Sequence, residues 1–576
     1  MNIKSDSFIP TSKKEVEALG WDYIDVILFS GDAYVDHPSF GTAVIARVLE
    51  REGYRVAIVP QPNWRDDLRD FKKLGVPRLF FGVNAGVMDS MVNHYTANKR
   101  LRSNDAYTPD GRASQRPDYA VKVYSNILKE LYPSVPVIIG GIEASLRRVT
   151  HYDYWQDRLM PSILVDSKAD ILVYGMGEKS IVEIARMIGS GASLEEVKTL
   201  PQIAYIADYE DNGLVDRILL HSFEECTQSK IAFAENFNQI ERESNSYIAR
   251  HLIEPYMDKY VHINSPYEAQ TIEEIDSYWD LPFTKLPHPR YIGKHIPAYE
   301  MIKFSINTHR GCFGSCSFCT ISAHQGKFVQ SRSKESILKE IGKLTEMEEF
   351  KGNISDVGGP TANMYSMKGK DMTICKNCKK ESCIYPKICF NLNHSHDELL
   401  DLYQKIGSVP KVKRAFVGSG IRYDLFLNGE GYLDESGKRY LREVIVKHTS
   451  GRFKVAPEHT EEHVLKAMGK PSFKSFTFLK EEFERIVNKE GLKYQLVPYF
   501  ISSHPGCKLS DMKALSLNPG LKGIILEQVQ DFTPTPLTRS SVAFYTHLDP
   551  KTLKDIFVET NPVNKQKQKQ FFFNKK

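Results

Sequence analysis

Short runs of Val and Ile alternate with amphipathic helical segments through the first third of the chain. The pattern predicts strands at residues 24–30, 56–59, 78–83, 135–139 and 170–174, and helices at residues 40–53, 119–131 and 180–188. This alternation is typical of a doubly wound parallel sheet. Ligands of such sheets bind at the carboxyl ends of the strands, where glycines stand at Gly31, Gly140, Gly141 and Gly175.

A second alternating series begins near residue 302. Its predicted strands lie at 302–307, 353–357, 415–418, 453–456, 494–499 and 523–529, and its predicted helices at 334–344, 396–406, 442–448, 461–468 and 473–489. Six such strand–helix units favour an open or partial (β/α) barrel. The fold class predicted for the whole chain is therefore α/β, with a doubly wound sheet followed by a partial barrel.

The two series divide the chain into predicted regions. We expect a polar leader (1–20), a doubly wound domain (21–200), an irregular region that wraps or links (201–297), a barrel (298–545) with a Cys-rich insertion (370–392), and a polar tail (546–576). Because Lys and Gln crowd the residues after 564, we expect the end of this tail to be disordered.

Composition limits the classes of partner. The 576 residues carry 76 Lys and Arg against 72 Asp and Glu, a net charge of +4 that does not argue for a nucleic-acid partner, although a local basic patch would not show in this total. Apolar runs stay well short of the roughly 20 residues that span a bilayer, and the first 20 residues have no apolar core typical of a secretory signal. We therefore expect the protein to be cytoplasmic and to have no membrane partner.

Seven of the nine cysteines fall between Cys312 and Cys389, and three of them form a C-x3-C-x2-C triplet at Cys312, Cys316 and Cys319. Clustered thiols in a reducing compartment indicate a metal site rather than disulfides. Zinc usually takes a fourth ligand and C-x2-C pairs, whereas three thiolates on a [4Fe–4S] cluster leave one iron open to a substrate. The triplet follows the first strand of the second series, on the face where barrels carry their chemistry.

The triplet, with Phe318 before its last cysteine, resembles the cluster motif of the radical S-adenosylmethionine (SAM) superfamily. From about residue 21 to 545 the chain is similar to the YgiQ-like family of that superfamily. This resemblance includes the stretches 363–365 (Asn-Met-Tyr), 382–383 (Ser-Cys), 385–389 (Tyr-Pro-Lys-Ile-Cys), 455–459 (Val-Ala-Pro-Glu-His), 503–506 (Ser-His-Pro-Gly) and 528–536 (Gln-Val-Gln-Asp-Phe-Thr-Pro-Thr-Pro).

The resemblance implies a cofactor pair and a reaction. Cys312, Cys316 and Cys319 would bind three irons of a [4Fe–4S] cluster, and the amino and carboxylate groups of S-adenosylmethionine would chelate the fourth. A reductant such as flavodoxin or ferredoxin would supply the electron that cleaves the C–S bond. The resulting 5′-deoxyadenosyl radical would act on a substrate that the motif leaves unknown, because the hard chemistry belongs to the cofactors.

The same resemblance suggests cofactor-binding residues at strand ends. Gly358 and Gly359 would face the methionine amino group through backbone carbonyls, since Pro360 stands where the superfamily usually has an acidic residue. Ser419 and Arg422 follow the third barrel strand and would reach the ribose or the carboxylate, and Glu458 follows the fourth. Simple loop roles for Ser419 and Arg422 are equally compatible with the sequence.

A second group of four cysteines, Cys375, Cys378, Cys383 and Cys389, lies in a Lys-rich stretch between the second and third barrel strands. Four thiolates in one short loop fit either structural zinc or a second iron–sulfur cluster.

The N-terminal domain resembles the cobalamin-binding domains of the superfamily. Their cobalt-binding signature is D-x-H-x2-G, whereas residues 35–41 read Val-Asp-His-Pro-Ser-Phe-Gly and lack the acidic residue two positions before His37. The sequence therefore argues against cobalamin held through His37. It leaves open cobalamin without a histidine ligand, or a related fold that binds the substrate or nothing.

Two other functions compete with a radical enzyme of unknown substrate. One is a non-catalytic iron–sulfur or zinc protein, for instance an electron carrier. The other is an RNA-modifying methyl- or methylthio-transferase that would use the Lys-rich tail and loop.

Overall fold

A computed structural model describes residues 7–210, 216–524 and 526–573, and the chain in it divides into two compact units. The first unit comprises the described residues up to Asn236 together with Ala249–Glu268 and Ser277–Lys303. The second comprises Phe237–Ile248, Ala269–Asp276 and the described residues from Phe304 onward.

Strands of the first unit are short and mostly buried. They are β1 (Val26–Ser30), β2 (Val56–Pro60), β3 (Phe80–Asn84), β4 (Val137–Ile139), β5 (His151–Asp153), β6 (Arg158–Met160), β7 (Ile171–Val173), β8 (Ile203–Ala207), β9 (Arg217–Leu219), β10 (His251–Tyr256) and β11 (Lys259–Ile263).

Nine of these strands form one sheet in the order β2-β1-β3-β4-β7-β8-β11-β10-β9, while β5 and β6 pair separately. The first five run parallel to one another. Every residue of β1 and β2 is buried, as expected for parallel strands covered on both faces. The predicted parallel α/β sheet is confirmed.

Helices in the first part of the chain are α1 (Lys13–Ala18), α2 (Gly41–Arg51), α3 (Arg69–Lys72), α4 (Ser90–His94), α5 (Ala120–Leu131), α6 (Gly141–Leu146), α7 (Ile163–Ser167), α8 (Glu178–Gly189), α9 (Leu194–Val197), α10 (Phe223–Gln228), α11 (Lys230–Arg242), α12 (Ile272–Trp279) and α13 (Pro297–Ile302). The long helices α2, α5 and α8 each bury one apolar side, for example Val44, Val48 and Leu49 of α2. This spacing is why the periodicity of the sequence identifies them.

The stretch 201–297 is more regular than predicted. It contains β8 to β11, which extend the parallel sheet with antiparallel neighbours; only β9 runs parallel to its partner β10. Our expectation that these residues only wrap or link is wrong for these strands. Their signal is weak because β10 contains a proline and a glutamate, and because a tight turn at Met257 (φ 51°) separates β10 from β11.

The second unit contains strands β12 (Ser305–Asn307), β13 (His309–Arg310), β14 (Gln330–Ser331), β15 (Asn353–Ile354), β16 (Asp356–Gly358), β17 (Lys368–Gly369), β18 (Leu392–Asn393), β19 (Arg414–Ala415), β20 (Arg452–Glu458), β21 (Gln495–Ser502) and β22 (Gln528–Asp531). Its helices are α14 (Ile321–Gln325), α15 (Lys334–Thr345), α16 (Met372–Lys376), α17 (Asp397–Gly407), α18 (Glu435–Lys447), α19 (Glu462–Met468), α20 (Phe473–Lys489), α21 (Leu509–Leu517), α22 (Arg539–Thr546) and α23 (Pro562–Phe573).

Parallel pairs follow one another in chain order across this unit. They are β12 with β16, β15 with β19, a bridge from Ile421 to Val455, β20 with β21, and β21 with β22. Between the strands lie α15, α17, α18 and α20, whose buried faces join one hydrophobic core with the strand residues. This succession is the predicted open (β/α) barrel. Its last strand lies a few residues later than predicted, and Ile525 of the predicted strand is outside the described residues.

The C-terminal tail is helical up to Phe573 instead of disordered. Lys565 and Gln568 are buried, Phe571 and Phe572 pack against the core, and Gln568 Oε1 accepts a hydrogen bond from the Ser503 N–H at 2.8 Å. These positions recur every three to four residues, so a helix presents them on one side. Residues 1–6 of the predicted leader and 574–576 of the tail lie outside the described residues.

Among the described residues, no helix combines the length and the apolar character that crossing a bilayer requires.

Glu254 in β10 makes the stability of the first unit depend on pH. Its carboxylate accepts the Thr150 N–H at 2.8 Å, and burial raises its pKa from 4.5 to about 7. Because the folded protein holds the Glu254 proton more tightly than the unfolded chain, this group stabilises the fold fully below pH 4.5. That stabilisation is lost as the pH rises through about 7. At pH 8 we expect Glu254→Gln to have a larger free energy of unfolding than the wild type, by on the order of a few kcal/mol, and therefore to unfold at a higher temperature. Near pH 4.5 we expect the two proteins to unfold at the same temperature.

The measurement is a thermal unfolding series from pH 4.5 to 8. Glu130→Gln, at an exposed position of α5, is the matched control and should follow the wild type throughout. Parallel pH profiles for wild type and Glu254→Gln would contradict the prediction.

Candidate metal centre

The loop that carries the cysteine triplet follows β12 and is folded tightly by Gly311. This residue has a φ of 83°, and a Cβ atom there would lie 2.1 Å from the carbonyl oxygen of Phe328. Only glycine fits such a close approach. The Cys312 N–H then donates to the carbonyl of Gly326 at 3.1 Å, which fixes the first thiol against the segment before β14.

The three cysteines of the loop are buried or half-buried. Cys312 is 8% exposed, while Cys316 and Cys319 are half-buried. The Gly314 N–H donates to Cys312 Sγ at 3.4 Å, and the Cys319 N–H donates to the carbonyl of Cys316 at 3.1 Å. Burial raises the pKa of Cys312, and it raises the pKa of Cys319 to about 12. A metal that binds here must therefore displace protons from these thiols.

The guanidinium of Arg422 lies against the cysteine loop. Its Nη1 lies 3.0 Å from Cys316 Sγ, and its Nε and Nη2 donate to the two oxygens of Asp424 at 3.0 and 2.5 Å. Burial lowers the pKa of Arg422, but Asp424 and Cys316 outweigh it and the pKa lies above its usual value. A Cβ on Gly314 would lie 2.7 Å from Nη1, so this second glycine leaves room for the guanidinium.

A carboxylate and an ammonium group lie beside Arg422. Glu458, at the end of β20, is buried and has a φ of 69°, a left-handed conformation that is uncommon for non-glycine residues. Its Oε1 lies 3.6 Å from Nζ of Lys470. Burial raises the pKa of Glu458 above its usual value, and the opposing effects of Lys470 and Arg422 do not cancel this rise. Charges of both signs therefore stand near the thiols.

The structure brings only some of the predicted cofactor-binding residues to the thiols. Arg422 contacts Cys316, and Glu458 lies within electrostatic reach of Arg422. The Ser419 hydroxyl instead donates a short hydrogen bond to Asp356, whose other oxygen accepts the Gly418 N–H at 2.8 Å. A direct role of Ser419 in cofactor binding stays a prediction.

Gly358 and Gly359 are needed for packing within the protein. A Cβ on Gly358 would lie 3.0 Å from Ser419 Oγ, and a Cβ on Gly359 would lie 2.6 Å from the His309 ring. The Gly358 carbonyl accepts two hydrogen bonds from Thr308, from its N–H at 2.7 Å and from its hydroxyl at 3.1 Å. A contact of the Gly358 carbonyl with a methionine amino group would have to compete with Thr308, whereas the contact predicted for Gly359 stays a prediction.

Asn363, Asp424 and Lys470 are functional candidates that sequence reasoning did not select. The Asn363 side chain donates to the Arg422 carbonyl at 2.9 Å and accepts the Arg422 N–H at 2.9 Å, so it fixes the backbone that carries the guanidinium. Asn363 belongs to the stretch 363–365, which resembles the YgiQ-like family, and this resemblance could have identified it from the sequence. Asp424 and Lys470 carry no motif, and only their position beside Arg422 and Glu458 identifies them.

The four cysteines of the second group line one cavity of about 380 Å³ within the second unit. Across residues 7–210, 216–524 and 526–573, no three His, Cys, Asp or Glu side chains form a ligand set for a single metal ion. A [4Fe–4S] cluster makes a different demand, because each of its thiolate ligands binds a different iron.

His37, at the position that the sequence compares with a cobalt-binding histidine, lies in the segment after β1. It is 1% exposed, and its Nδ1 accepts the Ser39 N–H at 3.1 Å. At the carboxyl ends of β1 and β3 the buried Arg116 lies 2.6 Å from Asp32 and 2.9 Å from Asp105. Ion pairs within the protein therefore occupy this part of the sheet edge.

Comparison with known proteins identifies relatives along the whole chain. The family model "Radical SAM N-terminal" matches residues 8–305. A "UPF0313 protein" of Bacteroides thetaiotaomicron is 58% identical over 98% of this chain and 94% of its own length. One of Methanocella arvoryzae is 46% identical over 95% of this chain and 90% of its own length.

Solved structures resemble the chain more distantly. The radical S-adenosylmethionine methyltransferase TsrM from Kitasatospora setae, with cobalamin and a [4Fe–4S] cluster bound, is 14% identical with a TM-score of 0.49, over 91% of this chain and 74% of its own. The cobalamin-dependent radical enzyme OxsB is 12% identical with a TM-score of 0.48, over 91% of this chain and 55% of its own.

Removing Arg422 should leave the Asp424 carboxylate buried and uncompensated. We expect Arg422→Met to lower the free energy of unfolding by about 3–5 kcal/mol, and Arg422→Met/Asp424→Leu to recover most of the loss. Arg439→Met is the matched control, because its 2.6 Å pair with Asp397 is exposed and should cost less than about 1 kcal/mol. Urea unfolding of the metal-free proteins measures all three; equal losses for the single and double variants would contradict the pairing.

Proposed function

The chain belongs to the UPF0313 family, the YgiQ-like family of radical SAM proteins, and we propose that it is a radical S-adenosylmethionine enzyme. The observation that carries the proposal is the buried loop of Cys312, Cys316 and Cys319 with Arg422 on the Cys316 sulfur. Three thiolates suit a [4Fe–4S] cluster with one open iron. The donor set therefore fits the cofactors that the family membership implies.

When bound and reduced, the cluster would give one electron to the sulfonium of S-adenosylmethionine and so generate a 5′-deoxyadenosyl radical. Arg422 lies 3.0 Å from the Cys316 sulfur and would donate a charge-assisted hydrogen bond to it when that sulfur is a cluster ligand. Because Asp424 and Asn363 hold the guanidinium and its backbone, this donor is oriented before any cofactor arrives.

The charges beside the thiols match the amino-acid end of S-adenosylmethionine. Glu458 complements an ammonium group, and Lys470 or Arg422 complements a carboxylate. These residues would bind and orient the methionine part, whereas Ser419, Gly358 and Gly359 shape the neighbouring strand ends.

Water is kept from the loop by an apolar cluster. Phe313, Met364, Met367 and Leu425 pack with Cys312 and are all at most 5% exposed. Exclusion of water protects a reactive radical from side reactions. The proposal requires a low-potential one-electron donor such as flavodoxin or ferredoxin, and it leaves the substrate open.

The test is reductive cleavage of S-adenosylmethionine by the anaerobically reconstituted protein. We expect wild type with dithionite to form 5′-deoxyadenosine, measured by liquid chromatography and mass spectrometry, and Cys316→Ala to form none above background. Cys226→Ala is the control, since that thiol is buried in α10, contacts Asn236 and should leave turnover unchanged.

Cluster-loaded wild type that forms no 5′-deoxyadenosine would favour a non-catalytic iron–sulfur protein. Equal product from wild type and Cys316→Ala would exclude the triplet as the source of the reaction.

A further inference from the structure

An antiparallel ribbon closes the insertion that carries the second cysteine group. Strands β17 and β18 pair Lys368 with Asn393 and Gly369 with Leu392. The residues between them contain α16 and all four thiols. A Cβ on Gly369 would lie 2.3 Å from Cys375 Sγ, so the ribbon presses directly against the first thiol.

The backbone around the first two thiols is held by one side chain. The Asn245 amide donates to the carbonyls of Cys375 at 3.0 Å, Lys376 at 3.3 Å and Cys378 at 2.8 Å. The Cys378 N–H also donates to the Cys375 carbonyl at 3.1 Å. This turn is therefore ordered by the chain itself.

N–H groups already point at two of the sulfurs. Asn391 Nδ2 donates to Cys375 Sγ at 3.3 Å, and the Lys380 N–H donates to Cys378 Sγ at 3.4 Å. Hydrogen bonds to sulfur are one of the means by which proteins set the reduction potential of iron–sulfur clusters.

All four thiols lie at one cavity, whose other lining residues include lysines. All four cysteines line its volume of about 380 Å³, along with Lys327, Lys379 and Lys380. One zinc ion needs only thiolates at about 2.3 Å around a point and no such volume. Four thiolates on a cluster would bring negative charge, which Lys379 and Lys380 would partly offset, whereas Lys327 is paired with Glu241 at 2.7 Å.

The second group is built onto the first loop. The Cys383 N–H donates to the Phe313 carbonyl at 3.1 Å, and the Ser382 hydroxyl donates to the Gly314 carbonyl at 3.0 Å. In the other direction, the Ser315 hydroxyl donates to the Glu381 carbonyl at 2.5 Å. Cys383 and Cys389 also pack against the apolar cluster that contains Cys312 and Phe313.

We propose that Cys375, Cys378, Cys383 and Cys389 hold a second [4Fe–4S] cluster with a complete set of four thiolate ligands, beside the loop of the first. This site goes beyond the proposed function, because S-adenosylmethionine chemistry requires only the triplet. Four protein ligands leave no iron open, so the second cluster does not take a substrate.

The decisive experiment separates the two sites by removing the first. The triple variant Cys312→Ser/Cys316→Ser/Cys319→Ser, purified anaerobically and reconstituted, should retain about four irons and four sulfides per chain, against about eight of each in wild type. Adding Cys375→Ser and Cys378→Ser to it should abolish iron binding. Metal and sulfide analysis with Mössbauer spectroscopy gives the counts, and circular dichroism verifies folding.

A triple variant without iron, or one that carries a single zinc, would overturn the proposal. Should the triple variant fail to fold, Cys375→Ser/Cys378→Ser in otherwise wild-type protein gives the same answer: iron falling to about half supports the proposal, and unchanged iron overturns it. Because the triple variant cannot cleave S-adenosylmethionine, its iron content is independent of whether the proposed function holds. Cys226→Ser is the matched control and should keep the wild-type iron content.

Asn391 should tune this cluster as a positioning residue. In the triple-variant background, Asn391→Asp replaces an N–H donor to Cys375 Sγ by a negative oxygen, so the reduction potential should become more negative. Electron paramagnetic resonance during a redox titration measures the shift. Asn393→Asp, an exposed neighbour on β18, is the control; equal potentials for Asn391→Asp and the triple variant would contradict the contact.

Discussion

The guanidinium of Arg422 is the interaction on which the triplet loop depends. A charge buried at this position is costly unless it is paired and hydrogen-bonded, and the chain provides for it with parts that lie far apart in sequence. Asp424 neutralises it, Cys316 receives one N–H, Asn363 fixes its backbone and Gly314 leaves it space. The cysteine loop and the end of the third barrel strand are thereby tied together.

The first unit also contains buried arginines that are paired with aspartates. Arg116 is buried between Asp32 and Asp105, and Arg47 is buried against Asp36 at 2.6 Å. In open α/β sheets the carboxyl edge is where ligands usually bind. Here buried ion pairs occupy part of that edge.

The two groups of thiols are connected within the second unit by a hydrogen bond and by a shared apolar cluster. The Cys383 N–H binds the carbonyl of the residue that follows Cys312, and both loops contribute to one apolar cluster. The backbone of one loop is therefore hydrogen-bonded to the backbone of the other. This coupling gives the Cys-rich insertion a reason to lie between the second and third strands of the barrel.

Local pattern determined much of this protein. Periodicity located the parallel strands and the long helices, and the spacing of Cys312, Cys316 and Cys319 identified the family chemistry, because both signals lie within a few consecutive residues. The antiparallel strands β8 to β11 and the helix α23 were missed, since their stability comes from partners distant in sequence. Only the tertiary structure decided that Arg422 contacts a thiol while Ser419 binds Asp356, and that Lys470 stands by Glu458. Hydrogen bonds and buried charge pairs between remote residues depend on distances that a linear order of residues does not contain.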